Sequence, residues 1–300
     1  MLVVVLTLLA ALSNASSSVL QRRAAAEEPE GGAGLRQAAR WLGRVLLRPP
    51  WVAGAGLLAL STVLQAAALG RGSLALVQPL MAAELLFTLV VGSVVFHRRP
   101  DPGIWLAFAA LAVGLSLFLI SAAPTVGRST ASAGLWTVAA GVVLGAVAVL
   151  VVTARAVRGA PRAALLGLAS AVCFALTAAL LKEVTGRFSD GLGALLASWP
   201  PYATVAAGAV AFLLLQSAFR AGTLAASQPA LTLGDALASV VLGWALFGEQ
   251  ITLGVRVVPA VAGVVLMGVG AAGLARAPLV SGSWDTTARR PGTDSVRPVP

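Results

Sequence analysis

Nine stretches of this chain are long and apolar enough to cross a bilayer, and they constrain the fold more than any motif does. They run over 2–20, 51–69, 73–96, 103–121, 133–154, 163–181, 195–215, 222–246 and 254–275. A helix needs about 20 apolar residues to span the hydrocarbon. Lipid offers no partners to backbone N–H and C=O groups, so each stretch must satisfy its own within a helix. Only 11% of the residues are charged and 58% are hydrophobic, where a soluble domain carries roughly 25% charge. The expected fold class is an all-α polytopic membrane protein of about nine transmembrane helices, with the lipid bilayer as its solvent.

Two segments fall outside this pattern. Residues 21–50 hold six Arg and three Glu and end in Pro49-Pro50, which reads as a loop with room for a short surface helix. Residues 277–300 are polar and contain proline, and read as a disordered tail. The first stretch lies where a signal peptide would, but it lacks a basic leading region, and Arg22 and Arg23 follow the apolar run. That order favours a retained helix with its N-terminus outside. Of the 21 Lys and Arg residues, sixteen lie in loops one, three, five and seven and the tail, and five in the other four loops. Basic loops stay cytoplasmic. The chain is therefore expected in the cell membrane as a multi-pass protein, with 21–50 and the C-terminus cytoplasmic.

The formal net charge of +10 does not point to nucleic acid, because the arginines cluster between apolar runs and form no stripe with aromatics. Cys173 is the single cysteine, so no disulfide framework exists. No Ser/His/Asp set, metal-ligand cluster or phosphate-binding loop is present, and neither an enzyme nor a cofactor is expected.

One phrase occurs twice. Gly72-Ser-Leu-Ala-Leu-Val-Gln-Pro79 returns as Gly222-Thr-Leu-Ala-Ala-Ser-Gln-Pro229, at the start of the third and eighth stretches. Those two stretches cross in opposite directions. The pieces around them answer one another too: Leu180-Leu-Lys182 resembles Leu20-Gln-Arg22, and Gln65-Ala-Ala-Ala68 resembles Gln216-Ser-Ala-Phe219. The economical architecture is an inverted repeat of four spans, a connector and four spans. The first repeat covers 1–121, the connector helix and its flanking loops 122–161, and the second repeat 162–276.

Leu8-Leu-Ala-Ala-Leu-Ser-Asn-Ala-Ser-Ser-Ser-Val-Leu-Gln-Arg-Arg-Ala24, the two Gly-x-Leu-Ala…Gln-Pro phrases and Gly248-Glu249 together resemble the drug/metabolite transporter superfamily. Within it the chain is similar to the EamA-like permeases and to the NIPA-type magnesium transporters, over about residues 1–275. The resemblance implies a secondary transporter. Usual members have ten spans; this chain lacks the second span of each half and gains a connector, and the NIPA-type branch also has nine. Gly248-Glu249 is answered in the third stretch by Arg98-Arg99, so that signature is present once.

Each repeated phrase is followed by a lone acid, Glu84 in the first copy and Asp235 in the second. An ionised acid at the bilayer centre costs a few kcal/mol or more, so such groups face a cavity, pair, or keep their proton. Either acid reads as a coupling group that takes up and releases a proton, as a cation ligand, or as a structural tie between helices. Pro79 and Pro229 each remove a helix hydrogen bond and crowd the carbonyl four residues back; the outcome is either a broken helix lining a site or a simple kink. Gln78 and Gln228 either bind substrate or bridge helices. Asn14, with Ser13, Ser16, Ser17 and Ser18, gives the first stretch a polar face for packing or for a site. Gly141-xxx-Gly145 fits a tight helix crossing or a homodimer contact. Trp51, Trp136 and Trp199 stand at stretch edges as interface anchors do.

The leading expectation is transport of a small organic solute by alternating access, with proton coupling through Glu84 and Asp235. Two others stand beside it. One is a NIPA-like magnesium transporter, in which Glu84, Asp235, Gln78 and Gln228 supply oxygens to a hydrated ion. The other is a membrane subunit that transports nothing.

Overall fold

The computed structural model describes residues 1–26, 47–97, 101–222, 224–250 and 256–276. Among these residues there are helices and turns and no strands. The helices are α1 (Leu2–Ala26), α2 (Pro49–Leu69), α3 (Leu74–Met81), α4 (Glu84–Val95), α5 (Pro102–Ala122) and α6 (Ala133–Ala156). Then follow α7 (Ala160–Gly186), the short α8 (Leu192–Ala197), α9 (Pro200–Ala221), α10 (Leu224–Phe247) and α11 (Val257–Ala275). With α3 and α4 counted as one crossing, nine spans are long and apolar enough for a membrane among the described residues. The architecture is that of a multi-pass membrane protein.

Prolines set several of the helix starts. α2, α5, α7 and α9 each carry proline in their first two positions, where the missing N–H would have had no intrahelical partner and the fixed φ suits the helix. Several boundaries differ from the sequence reading: the first crossing continues to Ala26 rather than 20 and the seventh ends at Ala221 rather than 215, and three further differences bear on the site. The seventh crossing begins at Pro200 rather than 195, because Leu192–Ala197 forms a separate short helix. The sixth extends to Gly186, which brings Lys182 and Glu183 into its last turns. The third is split after Met81. Of the segment 21–50 read as a loop with a short surface helix, residues 21–26 continue α1 and 49–50 begin α2; residues 27–46 and the tail 277–300 lie outside the described residues.

Small residues govern the packing. α5 and α11 lie antiparallel against each other: a Cβ added at Gly114 would come 2.6 Å from the Met267 nitrogen, and one at Gly263 would come 2.7 Å from the Phe118 nitrogen. Glycine at both positions lets the backbones touch, the usual basis of helix association where lipid is as apolar as leucine. α7 and the third crossing are equally the most enclosed; α7 packs on α6, α9 and α10, and α1 packs on α2, α3 and α4. At the centre, α3 meets α10.

α6 is mostly open, with Val138, Val142, Leu144 and Val149 exposed, as lipid-facing side chains are. Gly141 and Gly145 on it have no neighbour within 4 Å of where a Cβ would stand, so the pair serves no crossing between described helices. Trp136 corrects an expectation. It is not an interface anchor but a core residue, 5% exposed and packed edge-on against Trp199 and Phe247 with ring centroids 5.4 and 6.4 Å apart.

Candidate functional site

The site begins with the break in the third crossing. Pro79 lacks the N–H that would bond to Ala75 and crowds that carbonyl. Past it the hydrogen-bond ladder tightens. The amides of Ala82, Ala83 and Leu85 donate to the carbonyls three residues back, Pro79, Leu80 and Ala82, each at 3.1 Å. Ala82 and Ala83 have ψ of −19° and −15°, values of a 3₁₀ turn. The turn makes Glu84 the first residue of α4. Its carboxylate is thus at the amide end of a half-helix, where negative charge is favoured.

α1 supplies the partner. The Asn14 side-chain amide donates to Glu84 Oε2 at 2.7 Å. Ala10, Ala11 and Ala15 are fully buried on the same helix, and the Ala10 carbonyl accepts from the Ser61 hydroxyl of α2 at 2.8 Å. Gln78 lies a turn and a half before Glu84 and is buried at 6% exposure.

The second copy of the phrase behaves differently. α10 runs unbroken through Pro229 from Leu224 to Phe247. Asp235 therefore has no helix end beneath it. Its Oδ1 is buried without a hydrogen-bond partner among the described residues, and so is the Ser239 hydroxyl one turn on. Gln228 and Pro229 are half-buried. Of the seven candidate residues the structure joins Asn14 and Glu84 by a hydrogen bond; among the described residues none joins Asp235 to Glu84.

One polar cluster escaped the sequence reading. Lys182, the only lysine of the chain, is 2% exposed near the end of α7. Its Nζ is 2.5 Å from Glu249 Oε1, donates to the Gly72 carbonyl at 3.1 Å, and stands 4.8 Å from the centre of the Phe247 ring. Glu249 is fully buried and caps α3, accepting from the Leu74 amide at 2.6 Å and the Ala75 amide at 3.0 Å. Gly248, with φ of +65°, makes this possible: the left-handed turn, cheap only for glycine, ends α10 and folds Glu249 back beside Gly243. Any side chain at Gly243 would collide with that carboxylate.

The loop before α6 closes over this layer. The Thr125 amide donates to the Gln250 carbonyl at 3.0 Å and the Arg128 amide to Phe247 at 2.7 Å. The Ala131 amide donates to Glu183 at 2.8 Å, and Glu183 also pairs with Arg187. Two signals in the sequence pointed here: the isolated lysine at a span end, and the Gly-Glu that closes the eighth stretch. Neither says that they meet.

Comparison with known proteins gives little to transfer. The chain is 27% identical over 208 residues to an uncharacterised protein of Corynebacterium glutamicum, covering 68% of this chain and 71% of that one. No family model matches, and no solved structure matches.

Proposed function

We propose that this protein is a secondary transporter of the drug/metabolite transporter superfamily that moves a small organic solute across the cell membrane by alternating access, coupled to protons through Glu84. The observation that carries the reading is the broken third crossing, which sets an acid at a half-helix end and hands it an amide from α1. Broken helices in a membrane are tolerated where they line a cavity, and their ends are where transporters hold charged cargo. A carboxyl held this way can alternate between a proton and a bound cationic group while Asn14 satisfies whichever oxygen remains.

The inverted repeat of four spans, a connector and four spans belongs to this reading. Its support is the doubled phrase, the central contact of α3 with α10, and the matching neighbourhoods of α1 and α7. The orientation, with the N-terminus outside and the C-terminus cytoplasmic, rests on the distribution of arginines. A homodimer formed through Gly141 and Gly145 also belongs to it. Asp235 is the second titratable group of the transport path.

The test starts from binding. Purified protein is screened by thermal shift against amino acids, organic amines, nucleosides, sugars and divalent cations. The reading predicts an organic solute whose stabilising shift disappears in Glu84→Gln and shrinks in Asn14→Ala. Stabilisation by magnesium alone would move the assignment to the ion-transporting branch. A ligand whose shift survives both substitutions would remove Glu84 from the site.

A further inference from the structure

The Lys182–Glu249 pair lies between two features that face each other along the molecule. On one side is a small open cavity of 40 Å³ whose lining includes Gly72, Arg128, Ser129, Lys182 and Gly186. On the other side is one face of α10. Residues 235, 239 and 243 are four apart and share that face; successive members are about 6 Å apart along the axis. The Glu249 carboxylate lies against Gly243. A turn below it is the fully buried Ser239 hydroxyl and a turn further the buried Asp235 Oδ1, both without a partner among the described residues.

Two such orphaned oxygens in a column are unusual, since buried polar atoms nearly always have a partner, protein or water. α7 packs along α10 with Leu168 and Ala171 against Gly234, and its Ala175, Ala178 and Ala179, at 4% exposure or less, lie in one apolar cluster with Leu242 and Leu246.

We infer that Lys182 and Glu249 form the gate of a polar passage that descends along α10 past Ser239 to Asp235, and that water enters this passage from the cavity when the pair separates. The inference rests on the transporter reading and names the outer gate of that transporter, since the arginine distribution puts this end of the bundle outside. The pair is placed as a gate should be. It ties the start of α3 to the ends of α7 and α10, and the 123–132 loop is pinned over the same ends. A buried ion pair often stabilises no more than apolar side chains of equal volume. Water can part it, however, whereas it cannot part an apolar plug.

The experiment needs no substrate. Cys173, the chain's only cysteine, is replaced by serine, Ser239→Cys is introduced, and a membrane-impermeant cationic methanethiosulfonate is applied to the outside of intact cells. The paired protein should label slowly. Glu249→Gln should raise the labelling rate at least tenfold. The double variant Lys182→Met/Glu249→Leu, which plugs the same place with apolar side chains, should label as slowly as the parent. Val142→Cys on the lipid-facing side of α6 is the control for folding and should stay unlabelled throughout; should Glu249→Gln expose it, Lys182→Gln takes its place with the same expected acceleration. Equal rates, within twofold, in the paired and single-variant proteins would overturn the gate. So would fast labelling in the double variant. Either result leaves the Glu84 proposal standing, and a Glu84→Gln protein with unchanged transport would leave the labelling result standing.

Discussion

The two copies of the Gln-Pro phrase make the most instructive comparison in the molecule. In the first, the crossing breaks three residues after Pro79, and Glu84 opens a new helix with an amide from α1 on its carboxylate. In the second, the helix passes through Pro229 without interruption and Asp235 is left in mid-helix, one oxygen unpartnered. The same local chemistry has two outcomes. Proline deletes one hydrogen bond in each copy; what differs is the tertiary setting. The first copy is held at its start by Glu249 and at its break by Asn14, and α10 is held by neither.

The largest effect expected from this contrast is at the clamp on the first copy. Lys182→Met leaves the Glu249 charge buried and unpaired and should cost about 3–5 kcal/mol, read as a fall in melting temperature in detergent. The paired acids come next. Glu84→Leu strands the Asn14 amide and should destabilise by about 1–3 kcal/mol. Asp235→Ala removes an oxygen that already lacks a partner and should leave the melting temperature unchanged or slightly raised. Equal losses at the two positions would erase the contrast. Asn14→Ala should fall between them, at about 1–2 kcal/mol.

The smallest effect separates proline from setting. Pro79→Ala and Pro229→Ala each restore one donor, yet the turn at Ala82 and Ala83 should persist in the first, with amide exchange there still faster than in the matching turn of α10. Healing of the break by Pro79→Ala alone would show that proline, and not the Asn14 and Glu249 contacts, makes it.

The spans were legible because lipid imposes a crude and strict rule: about 20 apolar residues, punctuated by Arg and Pro. Eight of nine starts fall within a few residues of the sequence reading, and the ninth is displaced only because Leu192–Ala197 coils separately before Pro200. Glu84 and Asn14 were legible as polar groups in apolar runs, but not as partners. They are 70 positions apart in the chain, and their meeting depends on how α1 packs on α4. Lys182 and Glu249 were harder still. Each stands at a span end, where a charged side chain ordinarily reaches the headgroups, and the left-handed turn at Gly248 that directs Glu249 inward leaves no periodic trace. Trp136 misled for the same reason: an aromatic at a span edge anchors to the interface unless other rings, here Trp199 and Phe247, pack against it.

The central claim, that Glu84 carries the coupling proton, is tested most directly in proteoliposomes once a solute is known. Glu84→Gln protein is assayed for accumulation driven by a pH gradient and for solute exchange with no gradient. The account predicts that exchange continues while gradient-driven accumulation falls to background. Accumulation that follows the pH gradient as steeply in Glu84→Gln as in the unaltered protein would contradict it.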